Sequence, residues 1–262
     1  MSPILHTVGA ALLGAALLGP ARADPMPAPA PAPPVTATLR VAVDPGTGPA
    51  AGFGRELFGD VAREIGATPA FAEVAREAAL SGLGAGRYDV AAGPFAPSEA
   101  AGRRWLAPVA PGGDALLKRR GDGAILSGTD IAGKAVGMAG SPAEVARLRA
   151  LATRLGARPV LRPGWRAAAL PDDLAAGRLA AVAGPLEGLA ATALARPDRF
   201  EVVGIARRPA DRRGPVLGAD AGRAPLAEAV AAAIARRAAD GRLATLQRKW
   251  FGVALDAAPP PP

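Results

Sequence analysis

The sequence has no cysteine and a single histidine, His6, close to its start. The absence of cysteine excludes disulfides, thiolate metal sites and a lipid anchor on cysteine. Beyond residue 6, Ser–His and Cys–His nucleophile pairs are excluded, and so are the usual nitrogen and sulfur metal ligands. Only carboxylate-based catalysis stays open, so we expect no enzyme, no metal site and no cofactor.

Lysine and aromatic residues are also scarce. Only Lys118, Lys134 and Lys249 occur, so arginine carries nearly all the positive charge of a chain whose formal net charge is +8. The arginines are scattered rather than clustered with the aromatic residues, which disfavours nucleic-acid binding. An acidic protein partner or a solvated surface accounts better for the charge.

The N-terminal segment resembles an export signal. Residues 8–18 form an apolar core that is too short to span a bilayer. Ala21-Arg22-Ala23 fits the small-x-small cleavage rule, so we expect a signal peptide over residues 1–23 and a periplasmic mature chain. Because no Lys or Arg precedes the apolar core, an uncleaved N-terminal anchor and a misassigned start codon remain alternatives.

Proline-rich segments flank the remainder of the chain. Residues 24–37 are dominated by alternating Pro and Ala, which predicts an extended, semi-rigid linker. Residues 254–262 predict a short disordered tail. The folded part is therefore expected between residues 38 and 253.

One stretch around residue 140 has the pattern of a strand, a turn and a helix. Ala135–Met138 is a short apolar run typical of a buried strand, and Gly140 predicts a tight turn. Ser141-Pro142-Ala143-Glu144 predicts a capped helix start. Free backbone N–H groups and the helix dipole would then favour an anionic ligand at Gly140 and Ser141. The alternative is an ordinary strand–helix turn.

An internal repeat suggests two lobes of similar construction. Residues 83–94 and 174–185 share the pattern L-x-A-G-R-x-x-x-x-A-G-P without gaps. Each copy reads as a helix end, a glycine stop, a strand and a Gly-Pro turn. Because ligands of open α/β sheets bind at the carboxyl ends of the strands, the loops at Gly93 and Gly184 would face each other across a cleft.

Several motifs resemble the bacterial extracellular solute-binding proteins of family 3. They are Leu39-Arg40-Val41, Gly52-Phe53 with Glu56-Leu57, Gly86-Arg87-Tyr88-Asp89-Val90, Asp130-Ile131-Ala132-Gly133-Lys134 with Gly140-Ser141, Asp240-Gly241-Arg242 and Lys249-Trp250-Phe251-Gly252. The resemblance covers about residues 38–253. It implies the α/β, two-lobed type 2 periplasmic binding protein fold, in which each lobe is a mainly parallel sheet flanked by helices. It also implies a role in polar amino-acid ABC import.

The fold class implies a division of the chain. We expect lobe 1 over residues 38–118 and 204–253, and lobe 2 over residues 119–203. The chain would cross at Lys118–Gly123 and return near residues 203–207. Two crossing strands form a hinge that would let the lobes close on a ligand.

The chain departs from the family at both anchors for an amino acid. The family's T-x-x-R places an arginine on the ligand carboxylate, but here Ser98 is followed three residues later by Ala101. Arg103 would supply the charge only after a local shift. The aspartate that binds the ligand amine is replaced by Pro185, with Glu187 two residues later.

A narrower resemblance accounts for some of these departures. Val43-Asp44-Pro45, the Ala85–Val90 segment and the Gly-Pro-Leu turn at residues 184–186 with Gly188-Leu189-Ala190 resemble a divergent branch of the same fold. That branch comprises periplasmic accessory proteins encoded with PQQ-dependent methanol and alcohol dehydrogenases.

Eight residues are predicted to line the ligand site, and most have a structural alternative. Ser141 could only cap its helix, Arg103 could lie on a solvated face, Asp44 could serve a turn, Phe95 could pack in the core and Glu187 could be a first-turn helix acid. Trp165 and Trp250 are expected in the core or between lobes. The ligand-site set is Asp44, Gly93, Phe95, Ser98, Arg103, Gly140, Ser141 and Glu187.

The residues leave three functions open. The first is capture of a small polar solute, amino-acid-like or an organic acid, for the membrane subunits of an ABC importer. The second is a non-transport accessory that docks on a periplasmic quinoprotein dehydrogenase. The third is a carboxylate-based dehydratase on the same fold, which requires paired acids that we do not expect at the cleft.

Overall fold

A computed structural model describes residues 38–45, 48–100, 103–106, 109–138, 141–160, 169–204, 213–218 and 223–254. The predicted signal peptide, the linker, nearly all of the C-terminal tail, Gly140 and Trp165 lie outside these residues.

The first sheet has five strands in the order β2-β1-β3-β10-β4. Strands β2 and β3 run parallel to β1, whereas β10 is antiparallel to β3 and to β4. The bounds are β1 Thr38–Val43, β2 Thr68–Glu73, β3 Val90–Phe95, β4 Arg104–Trp105 and β10 Gly214–Leu217.

The second sheet repeats this arrangement in the order β7-β6-β8-β5-β9. Strands β7 and β8 are parallel to β6, and β5 is antiparallel to β8 and to β9. The bounds are β5 Asp114–Arg119, β6 Ala135–Met138, β7 Arg158–Val160, β8 Ala181–Pro185 and β9 Phe200–Gly204. Two such sheets with flanking helices confirm the predicted α/β architecture.

Helices flank both sheets. They are α1 Pro49–Glu64, α2 Arg76–Gly84, α3 Pro142–Arg154, α4 Leu170–Ala175, α5 Leu186–Ala195, α6 Ala224–Ala239 and α7 Arg242–Phe251. We call the first sheet with α1, α2, α6 and α7 the first lobe, and the second sheet with α3, α4 and α5 the second lobe. Helix α5 contacts α1 and α7, so it joins the two lobes.

The sequence repeat corresponds to a repeated structural unit. Helix α2 is followed by Gly86 at φ +68° and then β3, and α4 is followed by Gly177 at φ +74° and then β8. The next amide reaches back to the same helical position in both copies, Arg87 N to Gly82 O and Arg178 N to Asp173 O, each at 2.9 Å. A side chain would strain this left-handed cap, which explains the glycine in each copy.

The chain enters the second sheet earlier than predicted. We expected the crossing at Lys118–Gly123, but β5 already pairs with β8 from Asp114 onward. Lys118 is only 4% exposed and forms an ion pair with Glu201 on β9. The polar stretch predicted to connect the lobes therefore begins inside strand β5, where the charge of Lys118 is paired.

Glycine at residue 54 is required where α1 lies against β3. A Cβ atom there would lie 2.9 Å from the carbonyl oxygen of Ala92 and 3.1 Å from its Cβ. Gly54→Ala should therefore push α1 from the sheet and lower the free energy of unfolding by about 1–3 kcal/mol. Gly59 in the same helix is the control, because a Cβ there meets only the Phe71 ring at 4.0 Å.

Gly59→Ala should raise the free energy of unfolding by about 0.5–1 kcal/mol, since alanine is the better helix former. Urea denaturation of both variants measures the two changes. Shifts of the same sign would contradict this account of how α1 packs.

Candidate functional site

Charged side chains collect where the parallel strands of the first sheet end. Asp44 follows β1 directly, and Arg76 opens α2 shortly after β2. Glu99 lies in the short 3-10 helix Pro97–Ala100 that follows β3. Because the three strands run parallel, these residues share the carboxyl edge of the sheet, where open α/β sheets bind ligands.

Arg76 is held by a carboxylate and an aromatic ring. Its Nε and Nη2 donate to Glu99 Oε1 at 3.1 and 2.6 Å, and its guanidinium lies 4.3 Å from the centre of the Phe95 ring. Glu99 Oε2 accepts from the Ala96 amide at 2.6 Å. Burial raises the pKa of Glu99, but hydrogen bonds from Ala96 and Arg76 and the nearby charge of Arg213 outweigh it, so the pKa is lowered.

Glu187 reaches this edge from the second lobe. It lies in the first turn of α5 and is half-buried. Burial raises the pKa of its carboxyl, the charge of Asp44 raises it further, and the charges of Arg76 and Arg213 act in the opposite direction. In the part of the chain that the structure describes, no group donates a hydrogen bond to this carboxylate. We call Asp44, Arg76, Glu99, Glu187 and Arg213 the cleft cluster.

The structure brings some of the predicted site residues to this cluster. Asp44 and Glu187 belong to it, and the charge of Asp44 raises the pKa of the Glu187 carboxyl. Phe95 is 1% exposed and its ring lies against Arg76. Gly93 supports that ring, because a Cβ there would lie 2.6 Å from it. Ser98 is exposed in the 3-10 helix beside Glu99.

The predicted anion site in the second lobe binds a carboxylate of the chain itself. Ser141 Oγ accepts from the Glu144 amide at 3.4 Å, and the Ser141 amide donates to Glu144 Oε2 at 2.7 Å. This confirms the predicted cap. Hydrogen bonds from Ser141 and the charge of Arg147 hold the pKa of Glu144 below its usual range. Nearby on α3, Arg147 Nη2 donates to Asp114 Oδ1 at 2.5 Å.

Arg103 does not reach the cleft cluster. Its guanidinium lies beside Gly84, where a Cβ would be 2.9 Å from Nη2. Gly84 is the last residue of α2, whereas Arg76, which binds Glu99, is the first. The amide of Arg103 donates to Ala100 O at 2.9 Å. This bond forms a turn directly before edge strand β4, which begins at the next residue. The structure therefore places the Arg103 guanidinium at the C-terminal end of α2.

Sequence reasoning missed three residues of the cluster. Arg76 opens α2 outside the motifs that carry the resemblance, and Glu99 follows Ser98 in the segment that departs from the family's T-x-x-R. Arg213 pairs through its backbone with Ala110, between the end of β9 in one sheet and the start of β10 in the other. Only the folded arrangement shows that these charges meet.

Within the described ranges, no group of three or more His, Asp or Glu side chains is arranged to hold a metal ion. None of the helices in those ranges is both long and apolar enough to cross a bilayer.

The raised pKa of Glu187 predicts how stability depends on pH. The folded state favours the protonated carboxyl of Glu187, so this group contributes to the free energy of unfolding when it is protonated. The contribution is complete below the pKa of the unfolded chain, about 4.3, and is lost as the pH rises through the higher pKa of the folded state. Glu187→Gln cannot ionise, so it should melt at a higher temperature than the parent at pH 7. The difference should vanish near pH 4.

Glu144→Gln is a control of opposite sign, since the pKa of Glu144 is lowered. Its carboxylate contributes stability above the unfolded pKa and loses it as the pH falls, so this variant should melt below the parent at pH 7. Thermal melts from pH 4 to 8 measure both. A Glu187→Gln variant that is less stable at pH 7 would contradict the assignment.

Comparisons with known proteins give a family and a fold. The family model of the bacterial extracellular solute-binding proteins, family 3, matches residues 41–253. The chain resembles the L-cystine solute receptor of Neisseria gonorrhoeae in its unliganded open conformation, with TM-score 0.62 and 21% identity over 86% of this chain and 97% of that chain. It also resembles substrate-binding domain 2 of Lactococcus lactis GlnP in the open conformation, with TM-score 0.66 and 18% identity over 87% and 100%.

An ancestral cyclohexadienyl dehydratase has a similar structure, with TM-score 0.63 and 18% identity over 82% of this chain and 93% of that chain. No curated protein matches the sequence. At these identities the solved structures show a shared fold.

Proposed function

Because the chain belongs to family 3 of the bacterial extracellular solute-binding proteins, we propose that it captures a small polar solute between its lobes for an ABC importer. The observation that carries this proposal is the cleft cluster. Glu187 of the second lobe lies within electrostatic reach of Asp44 and Arg76 of the first. A solute that contacts both sides would bind between charges that belong to different lobes.

Binding would act through closure of the two lobes. The chain crosses between the sheets twice, from β4 to β5 and from β9 to β10. Rotation about these crossings changes the separation of Glu187 from Asp44 and Arg76. A solute that bonds to both lobes stabilises the closed state by its differential affinity, which is the only way that a ligand shifts such an equilibrium.

The remaining parts of the proposal concern location and partners. Residues 1–23 would direct the chain to the periplasm and be removed there. The closed, loaded form would then dock on the membrane subunits of the importer. Lobe 1 would comprise residues 38–113 and 205–253, with the boundary placed before β5 because that strand lies in the second sheet.

A thermal-shift screen tests solute capture. The purified chain is melted with amino acids, organic acids, small amines, PQQ and metal ions. A ligand that binds only the native state at about a hundred times its Kd adds roughly 2.7 kcal/mol, so a true ligand gives a clear rise in Tm. The rise should disappear in Glu187→Gln, which removes the charge that the second lobe contributes to the cleft cluster, and persist in Asp198→Asn, which changes an exposed acid of the same lobe.

Binding without catalysis is part of the same proposal. The pairing of Asp44 with Glu187 makes it testable, since paired acids are what a carboxylate-based dehydratase would need. Any solute found in the screen is incubated with the chain and followed by mass spectrometry. Recovery of unchanged solute is the expected result, and a dehydrated product would overturn this part.

One observation favours a second function, an accessory of a PQQ-dependent methanol or alcohol dehydrogenase. The position of the family's carboxylate clamp holds Ala101, and Arg103 lies against Gly84 instead of in the cleft. An accessory can lose a ligand clamp and keep the fold. Silence across the solute library, together with co-purification of a quinoprotein dehydrogenase from the periplasm, would favour it over transport.

A further inference from the structure

Two groups that could bind a ligand carboxylate already bind carboxylates of the chain. Arg76 donates two hydrogen bonds to Glu99. The Ser141 amide, at the start of α3, donates to Glu144. A solute with a carboxylate would have to displace one of these partners, and both partners are tethered within the same lobe as the donor.

Glu187 presents the reverse situation. It is a half-buried carboxylate, and no donor in the described segments of the chain hydrogen-bonds to it. A carboxylate that is partly removed from water without donors is costly, so this position favours a ligand that brings N–H groups. Its charge is reinforced by that of Asp44, which comes from the other lobe.

The charge of Arg76 is already engaged within the first lobe, by the carboxylate of Glu99. Arg76 cannot easily turn to a ligand, because Glu99 and the Phe95 ring hold it on two sides.

From these contacts, and on the basis of the proposed function, we infer that the solute is a small organic cation with N–H donors and no carboxylate. The half-buried carboxylate of Glu187 would accept its hydrogen bonds. This sets the ligand class apart from that of an α-amino acid, which needs one site for its carboxylate and another for its amine.

Matched ligand pairs test the inference directly. Isothermal titration compares arginine with agmatine, and lysine with cadaverine, since each pair differs only by the carboxylate. The decarboxylated member of at least one pair should bind ten times more tightly or better. An amino acid that binds as tightly as its amine would overturn the inference and leave solute capture standing.

Two variants separate binding from folding. Glu187→Gln should weaken amine binding at least tenfold while melting at or above the parent temperature at pH 7, so misfolding cannot explain the loss. Asp198→Asn changes a 78% exposed acid of the same lobe and should bind amines like the parent.

The broader library decides the remaining cases. If an anionic or neutral solute binds and none of the amines does, the inference of an organic cation is wrong, whereas the proposal that the protein captures a solute stands. If no member of either set binds, both proposals fail together. Binding of a different carboxylate-free cation from the library, lost in Glu187→Gln, would support the inference.

Discussion

Asp89→Ala is expected to lower the free energy of unfolding by about 3 kcal/mol. The Asp89 carboxylate is 7% exposed and accepts hydrogen bonds from the amide, Nε and Nη2 of Arg40 at 2.8, 3.2 and 2.8 Å. It also pairs with Arg223 Nε at 2.7 Å. It thereby joins β1, the start of β3 and the start of α6 on the side of the first sheet opposite the cleft.

Removal of this carboxylate leaves two arginines facing each other. Breaking a buried pair by deletion of one partner costs about 3–5 kcal/mol. The lower end applies, because the Arg40 and Arg223 side chains are 32% and 29% exposed and water partly replaces the lost acceptor. Arg40 Nη1 keeps its bond to Gly86 O, and Arg223 Nη2 keeps its bond to Thr38 O.

Denaturant unfolding of the purified variant measures the loss. Asp198→Ala is the matched control, since that exposed acid lies 3.9 Å from its arginine, and exposed pairs contribute about 0–1 kcal/mol. A loss below about 1 kcal/mol in Asp89→Ala would mean that the two arginines find other acceptors. Asp89 would then not be the centre of this network.

Local signals predicted most of the fold. The apolar run Ala135–Met138 is the strand β6, and Ser141 with Glu144 forms the predicted capping box. Both depend on neighbours within four residues, which a sequence displays directly. The crossing between the sheets was predicted too late in the chain, because Lys118 was interpreted as part of a polar connection. Its buried ion pair with Glu201, a residue more than eighty positions away, is not visible in the local sequence.

The candidate site was predicted only in part, for a related reason. Asp44 and Glu187 could be identified because each follows a strand whose carboxyl end faces the cleft. Arg76 also follows a strand that ends there, but its position is set by Glu99 and Phe95, which lie about twenty residues away and which no local pattern connects to it. The family pattern pointed instead to Arg103, which the fold places beside Gly84.

Phe251→Ala should lower the free energy of unfolding by about 3–5 kcal/mol, the usual cost of emptying a buried phenylalanine site. Its ring is 1% exposed and lies 5.3 Å from that of Phe53 on α1, centre to centre. Helix α7 contacts α1 in the first lobe and α5 in the second. Phe251 therefore lies in a helix that packs at the junction of the two lobes. The cavity would loosen the junction as well as the first lobe.

The neighbouring residues show why the last helix is fixed in place. Trp250 fills the space that glycine leaves at residue 52, where a Cβ would lie 2.1 Å from its ring, and its Nε1 donates to Glu56 at 2.8 Å. Lys249 pairs with the same Glu56. Gly252 ends the helix at φ +74°, where a Cβ would lie 3.0 Å from that of Val202 in the second sheet.

Lys249→Ala supplies the control for Phe251→Ala. The Lys249 side chain is 59% exposed, so loss of its pair with Glu56 should cost about 1 kcal/mol or less. Urea unfolding followed by tryptophan fluorescence and by far-ultraviolet circular dichroism measures both variants. The two signals should shift together in Phe251→Ala, because α7 packs on both lobes and its loosening weakens them jointly. Separate transitions in the parent protein would show instead that each lobe unfolds alone, and that α7 does not couple them.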